Sequence, residues 1–203
     1  MTDPEALQPQ YFDELYARKA DPWSVQSRWY EERKRYITMA TLPHQRYGSA
    51  LEIGCSLGVL TALLAERCEL VTAVDIAEAA VAAARERLRG HANVTVQAVD
   101  VSAGLPAGSY DLIMLSEVGY YFEDAGLATL VQRIDQSLTA GGTLVACHWL
   151  HPVADYPLSG PAVHQKLRGH PGWFRLAQHL EEDFMLEVFS HDSRSVAKRT
   201  GVN

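Results

Sequence analysis

The chain has 203 residues, 47% of them hydrophobic, and a formal net charge of −7, which suits one sizeable core and a single domain. The acidic balance and the lack of any dense Lys/Arg block argue against a nucleic-acid partner. No apolar run reaches the roughly 18 residues of a membrane span, and "MTDPEALQPQ" has no apolar signal region, so a cytoplasmic protein with no membrane partner is expected. Cys55, Cys68 and Cys147 are widely separated, which indicates neither a disulfide framework nor a zinc site.

In chain order, "PQYFDELYARKADPW" carries Tyr11, Phe12, Leu15 and Tyr16 at helical spacing and breaks at Asp21-Pro22. A second helix runs through "SRWYEERKRYITMATL" and stops at Pro43. Both precede the first strand, so residues 1–45 are expected to form a helical cap. From Ala50 onward, strands ("ALEIG", "LVTAVDI", "NVTVQAVDV", "DLIMLSEV", "GTLVACHWL") alternate with helical patterns ("GVLTALLAERC", "AEAAVAAARERLRG", "AGLATLVQRIDQSLTAG"). This alternation predicts a mostly parallel sheet with helices on both faces across residues 46–150. Residues 151–203 hold a long Pro-, Gly- and His-rich insertion, "HPVADYPLSGPAVHQKLRGHPGW". Two strands then flank the turn "EED", predicting an antiparallel hairpin at one edge.

The chemistry gathers at strand ends. In a doubly wound sheet, ligands bind outside the carboxyl ends of the strands where strand order reverses. The turn Gly54-Cys55-Ser56-Leu57-Gly58 lies there. It differs from the G-x-G-x-x-G turn that holds pyrophosphate, and Glu52 beneath it would repel a phosphate. Asp75, 21 residues after Gly54, ends the next strand and is placed to accept hydrogen bonds from two ribose hydroxyls. Its alternative role is capping the following helix, with Glu78 completing a capping box. Asp100 ends a third strand. Three acids at one edge favour a ligand rich in hydroxyls, amino groups and positive charge, and S-adenosylmethionine has all three.

These motifs resemble the class I SAM-dependent methyltransferases: "LEIGCSLG" the first motif, "AVDIAE" the ribose-binding acid, "AVDV" the adenine segment, "YDLIMLSEVGYYF" the motif after the fourth strand. Ser56 stands where the middle glycine is usual. More narrowly, "YFDELYARKADPWSVQSRWYEERKRY" followed by "LEIGCSLG" and "SEVGYY" resembles the nodulation protein S (NodS-like) family. The resemblance implies an α/β fold: a Rossmann-like doubly wound sheet, mostly parallel, with a C-terminal antiparallel hairpin and an N-terminal helical cap. It implies S-adenosyl-L-methionine as cofactor and N-methylation of a small-molecule amine, such as an amino sugar or an oligosaccharide carrying one. By the same resemblance, Gly54, Ser56 and Gly58 wrap the methionine end above Glu52, and Asp75 holds the ribose. Ile76 flanks the adenine, Asp100 and Val101 receive its edge, and Ser116 contributes backbone contacts.

Transfer to an amine needs a free lone pair, so a nearby proton acceptor is expected. Glu117 and His148, on the loops after the fourth and fifth strands, are the catalytic candidates. Tyr120, Tyr121, His151 and His164 are candidate acceptor contacts. Trp23, Trp29 and Tyr30 are candidates for closing over the cofactor, and Arg33 or Lys34 for meeting the methionine carboxylate. His148 and His151 form an H-x-x-H without a third ligand, so no metal is expected. An O-methyltransferase, a non-catalytic SAM-binding domain and a nicotinamide-dependent oxidoreductase are the alternative readings.

Overall fold

A computed structural model of the chain describes residues 6–202. Seven strands form one sheet in the order β3-β2-β1-β4-β5-β7-β6. The strands are β1 (Tyr47–Ile53), β2 (Cys68–Asp75), β3 (Val94–Ala98), β4 (Tyr110–Ser116), β5 (Leu138–Trp149), β6 (Phe174–Leu180) and β7 (Phe184–Ser190). The first five are parallel, while β7 runs antiparallel between β5 and β6. Chain order reverses between β1 and β4, which is the switch point where a ligand crevice opens.

Side-chain alternation on β4 divides the core. Ile113 and Leu115 face one layer with Leu127, Leu130 and Ile134 of α5 (Asp124–Ser137). Leu112 and Met114 face the other, with Leu64 of α3 (Val59–Arg67) and Met39 of α2 (Trp29–Ala40). Because β4 is covered on both faces, all four side chains are fully buried and its sequence reads as an unbroken apolar run. Helix α1 (Pro9–Arg18) lays Phe12 and Tyr16 on Leu57, Ala77 and Ala80, at the edge of α4 (Glu78–Arg87). The cap expected over 1–45 therefore lies above the carboxyl ends of the strands. Its first five residues fall outside the described ones.

The expected loop after β5 departs from the sequence reading. Gly160–Arg168 is a helix, α6, N-capped by the Ser159 hydroxyl, which accepts the Ala162 N–H. Pro161 sits in its first turn, where proline fits because that N–H has no helical partner. Val163 and Leu167, four apart, bury its inner face. Asp100, expected to end β3, stands two residues beyond its last residue, Ala98. A short helix, α7 (Val196–Arg199), follows the hairpin.

Candidate functional site

A cavity of about 580 Å³ opens at the switch point, floored by the ends of β1, β2 and β4 and roofed by the segment containing α1 and α2. Glu52, Gly54, Ser56, Asp75 and Ile76 line it, with Asp100, Val101 and Ser116 farther along.

The turn after β1 is shaped by its own backbone. Gly54 has φ +76°, and a Cβ there would stand 2.2 Å from Val118, so only glycine lets the two loops meet. Ser56 also adopts a left-handed conformation, φ +48°. Its N–H donates to Asp75 Oδ2 at 2.8 Å, and its hydroxyl pairs with the Tyr16 hydroxyl at 2.7 Å. Asp75 Oδ1 accepts the Ala77 N–H at 3.0 Å. Burial raises the pKa of Asp75, opposed by the N–H groups of Ala77 and Ser56. The N–H groups of Ser56, Ala77 and Ile76 do not use every lone pair of the carboxylate, so Asp75 shapes the turn and keeps acceptor capacity toward the cavity.

Glu52 is buried and accepts the Thr61 hydroxyl at 2.5 Å. Burial pushes its carboxyl up to about 8, so without a cation beside it the group holds a proton at neutral pH. Asp100 accepts the Ser102 N–H at 2.8 Å, closing a tight turn at the far end of the cavity.

Gly58 does not line the cavity. Its φ of +72° starts α3, and a Cβ would stand 2.9 Å from Leu88 and 3.2 Å from Ala84. It therefore serves helix packing, not contact with a methionine chain. Trp29 is likewise corrected: as the first residue of α2 it points outward, 68% exposed. Trp23 and Tyr30 do line the wall, and the Tyr30 hydroxyl is buried with no hydrogen-bond partner among the described residues.

The opposite end of the cavity is built around Lys34. This lysine is buried and donates to Glu117 Oε1 at 2.7 Å and to Glu31 at 3.2 Å, and its ammonium lies 5.1 Å from the centre of the Tyr30 ring. Burial lowers its pKa, but Glu117 and Glu31 outweigh that and raise it above the ordinary value, so Lys34 stays charged. Glu117 Oε2 accepts both the Tyr120 hydroxyl at 2.5 Å and the Trp149 N–H at 2.9 Å. Glu117 therefore lines the cavity with three donors already on it, and its φ of +58° is held by these contacts. The sequence reading of Glu117 as a proton acceptor meets a carboxylate committed to structure.

His148 and His164 are also corrected. Both are fully buried, and neither lines the cavity. His148 Nε2 accepts the Gly119 N–H at 3.1 Å, and burial, His164 and Lys34 hold its pKa well down. Its ring nitrogens are both engaged, which removes it as a base for an incoming amine. His164 pairs with Glu187 instead of an acceptor. His151 pairs with Asp183 at 2.8 Å and lines a second, smaller cleft of about 170 Å³. Tyr120, Trp149, Val153 and Tyr156 border both spaces. Tyr121 lines the main cavity, its ring centroid 4.9 Å from that of Phe12 in the lid. Among the described residues no group of three His, Cys, Asp or Glu is disposed to hold a metal, and no helix is long and apolar enough to cross a membrane.

Arg33 and Lys34 are both engaged, Arg33 in a two-pronged pair with Glu181 at 2.7 and 2.8 Å. The arginines on the wall are Arg28 and Arg35, which sequence reasoning passed over. Among the described residues neither makes an ion pair, though Arg35 donates to the Val25 carbonyl at 2.7 Å. Arg28 caps the start of α2 and Arg35 lies two turns along it. That spacing on a helix already read from the sequence was the available signal.

A family profile described as Nodulation protein S (NodS) matches residues 11–149. The Nodulation protein S of Sinorhizobium fredii (strain NBRC 101917 / NGR234) is 32% identical over 127 residues, 62% of this chain and 59% of that one. That of Rhizobium tropici is 33% identical over 128 residues, 62% of this chain and 53% of that one. The matches thus span little more than half the length of these relatives. A crystal structure of a candidate methyltransferase from Pseudomonas syringae is 39% identical, covers 80% of this chain and 99% of its own, and superposes with a TM-score of 0.71. The N-methyltransferase NodS from Bradyrhizobium japonicum WM9, solved with S-adenosyl-L-homocysteine, has a TM-score of 0.80. It is 24% identical and covers 89% of this chain and 96% of its own, a likeness of fold.

Proposed function

Because the chain belongs to the nodulation protein S family, we propose that it transfers a methyl group from S-adenosylmethionine to the nitrogen of a small-molecule amine. The observation that carries this reading is the polarity of one cavity, with Glu52, Asp75 and Asp100 on one side and, in its roof, Arg28 and Arg35, which make no ion pair among the described residues. This donor set fits the cofactor. Asp75 suits a ribose diol, Asp100 an adenine amine and Glu52 an ammonium. Arg28 and Arg35 suit a carboxylate. The cramped approach of Gly54 to Val118 leaves backbone, not side chain, facing that end.

When bound, S-adenosylmethionine supplies a methyl group on a sulfonium, which an amine lone pair displaces in line. The chain's part is positioning and exclusion of water. The aromatic wall of Phe12, Tyr16, Trp23, Tyr121 and Tyr30 presents apolar surface around the reacting space. Glu31 and Glu117 place two carboxylates around Lys34, and their field draws a protonated amine to the acceptor end. Glu117 sets that field through a fixed carboxylate. Glu31, whose only side-chain donor among the described residues is Lys34, keeps lone pairs free to accept a hydrogen bond from the amine.

An amino sugar, free or within an oligosaccharide, is the finer reading of the acceptor. The adjoining cleft supports it: Tyr120, Tyr156 and Trp149 line it with aromatic surface of the kind that packs against a sugar ring. An acceptor screen with methyl-labelled S-adenosylmethionine across amino sugars, aminoglycosides, simple amines and hydroxyl compounds tests the reading. Label transferred only to hydroxyl compounds would replace it with O-methylation, and cofactor binding with no transfer to any class would replace it with a binding domain.

A further inference from the structure

We propose that Glu187, His164 and His148 form a hydrogen-bonded chain of positioning residues that holds the Gly119–Tyr121 turn, and with it the Tyr120 wall of the acceptor end, in one place. The functional half of this inference rests on reading that wall as the acceptor side.

The chain can be followed atom by atom. The Gly119 backbone N–H can only donate, and it meets His148 Nε2 at 3.1 Å, so Nε2 carries no proton. In a neutral ring the proton is then on Nδ1, which faces His164 Nε2 at 3.2 Å and donates to it. His164 therefore carries its own proton on Nδ1, which lies 2.8 Å from Glu187 Oε2. Glu187 also receives Arg168 at 3.0 Å and Arg175 at 2.6 Å. Burial alone would push the Glu187 carboxyl up, but the bonds from His164 and Arg175 hold it down at about 2. His148, His164 and Glu187 are all fully buried, and one backbone donor sets both tautomers.

The chain ends on a part of the cavity wall. A Cβ on Gly119 would stand 2.6 Å from Val163 and 2.9 Å from His148 Nε2, so the turn is pressed onto the imidazole. The next residue, Tyr120, packs edge-on against His148 at 5.4 Å, stacks on Tyr156 and donates to Glu117. The members come from β5, α6 and β7, with arginines from α6 and β6. Four of the five, His164, Arg168, Arg175 and Glu187, lie on elements after residue 149, beyond the stretch the family profile matches.

A proton added to either ring would set an N–H against another donor, at Gly119 or between the rings. The charges around the pair are Glu187, Arg168, Arg175 and, from α2, Lys34, with Glu117 on the far side of Tyr120.

The test uses the full chain labelled with ¹⁵N-histidine and two variants. Long-range ¹H–¹⁵N spectra at pH 7.5 should give His148 and His164 as single Nδ1–H tautomers. His148→Gln sets an amide oxygen near the former Nε2 and should keep the Gly119 N–H protected from exchange. His148→Asn reaches only toward His164, and its Gly119 N–H should exchange about five- to tenfold faster, the factor one net hydrogen bond sustains. With a glucosamine tetramer as acceptor probe, His148→Asn should raise KM several-fold while S-adenosylhomocysteine affinity and kcat stay near the parent, and His148→Gln should restore KM. An Nε2–H tautomer at His148, mixed tautomers, or equal Gly119 protection in both variants would overturn the proposal, and so would an unchanged KM in a parent that turns the probe over. If the parent binds S-adenosylhomocysteine but methylates no amine, the failure lies with the acceptor reading, and the spectra still decide the chain.

Discussion

The hydroxyls of Tyr16 and Ser56 lie 2.7 Å apart, joining the lid helix to the turn after the first strand across forty residues of sequence. The Leu7 N–H donating to the Tyr121 carbonyl at 2.9 Å is a second tie between lid and wall. These two bonds fasten the roof of the cavity to its floor and wall.

Tyr16→Phe removes the first tie and little else, because the ring keeps its edge-on contact with Trp23. The expected result is a loss of S-adenosylhomocysteine affinity of about 0.5–1.5 kcal/mol, roughly two- to tenfold. Calorimetry at constant pH, with thermal unfolding as control, measures both. Unaltered affinity would mean the lid does not close on the ligand.

Glu52 should make cofactor binding depend on protons. Its carboxyl sits at about 8 in the folded chain because of burial, against about 4.3 when exposed. A raised folded pKa stabilises the fold below the unfolded value, and that contribution is lost as pH rises from about 4 to 8. Glu52→Gln removes this slope, so without ligand the variant should be the more stable of the two at pH 8 and above. An ammonium beside Glu52 favours its ionised form, so binding of S-adenosylhomocysteine near pH 7 should release a substantial fraction of one proton. Calorimetry in buffers of different ionisation enthalpy reads that number, and it should vanish in Glu52→Gln.

Lys34 and Glu117 should be coupled more strongly than an exposed pair. Removing Lys34 alone, as Lys34→Met, leaves two carboxylates facing each other without their shared cation. Breaking a fully buried pair costs about 3–5 kcal/mol, and the partial exposure of Glu117 places this case nearer 2–3. The double variant Lys34→Met/Glu117→Gln should recover part of that loss. Denaturant unfolding of the four proteins in the cycle measures the coupling, and additive losses would mean the pair is not interacting.

Two glycines of one turn should fail differently. Gly58→Ala meets Leu88 and Ala84 at φ +72°, so about 1–3 kcal/mol of stability should be lost with ligand affinity little changed. Gly54→Ala collides with Val118 beside the cavity and should lower stability and affinity together. Melting temperature and dissociation constant, measured on both variants, separate the packing role from the binding role.

Much of this site could be read in advance because strand-end acids follow a local rule. Glu52 and Asp75 were identifiable where an apolar run ends, since a parallel strand delivers its last residues to one sheet edge. The turn "EED" was legible in the same way, as Glu181, Glu182 and Asp183 join β6 and β7. His148 was misread because sequence gives its place at a strand end but not the direction of its ring. That direction depends on His164 and Glu187, 16 and 39 positions away.

The sequence by itself determined the α/β alternation, the parallel sheet with its antiparallel edge and the convergence of carboxylates, because each follows from short-range periodicity and chain direction. Only the tertiary structure decided which of the polar side chains remain available to a ligand. Lys34, Arg33, Glu117 and His148 are all consumed by partners distant in sequence, while Arg28 and Arg35 line the cavity and make no ion pair among the described residues. The physical reason is that a charged or polar group's chemistry is set by its hydrogen-bond partners and desolvation, and both are properties of contacts between segments.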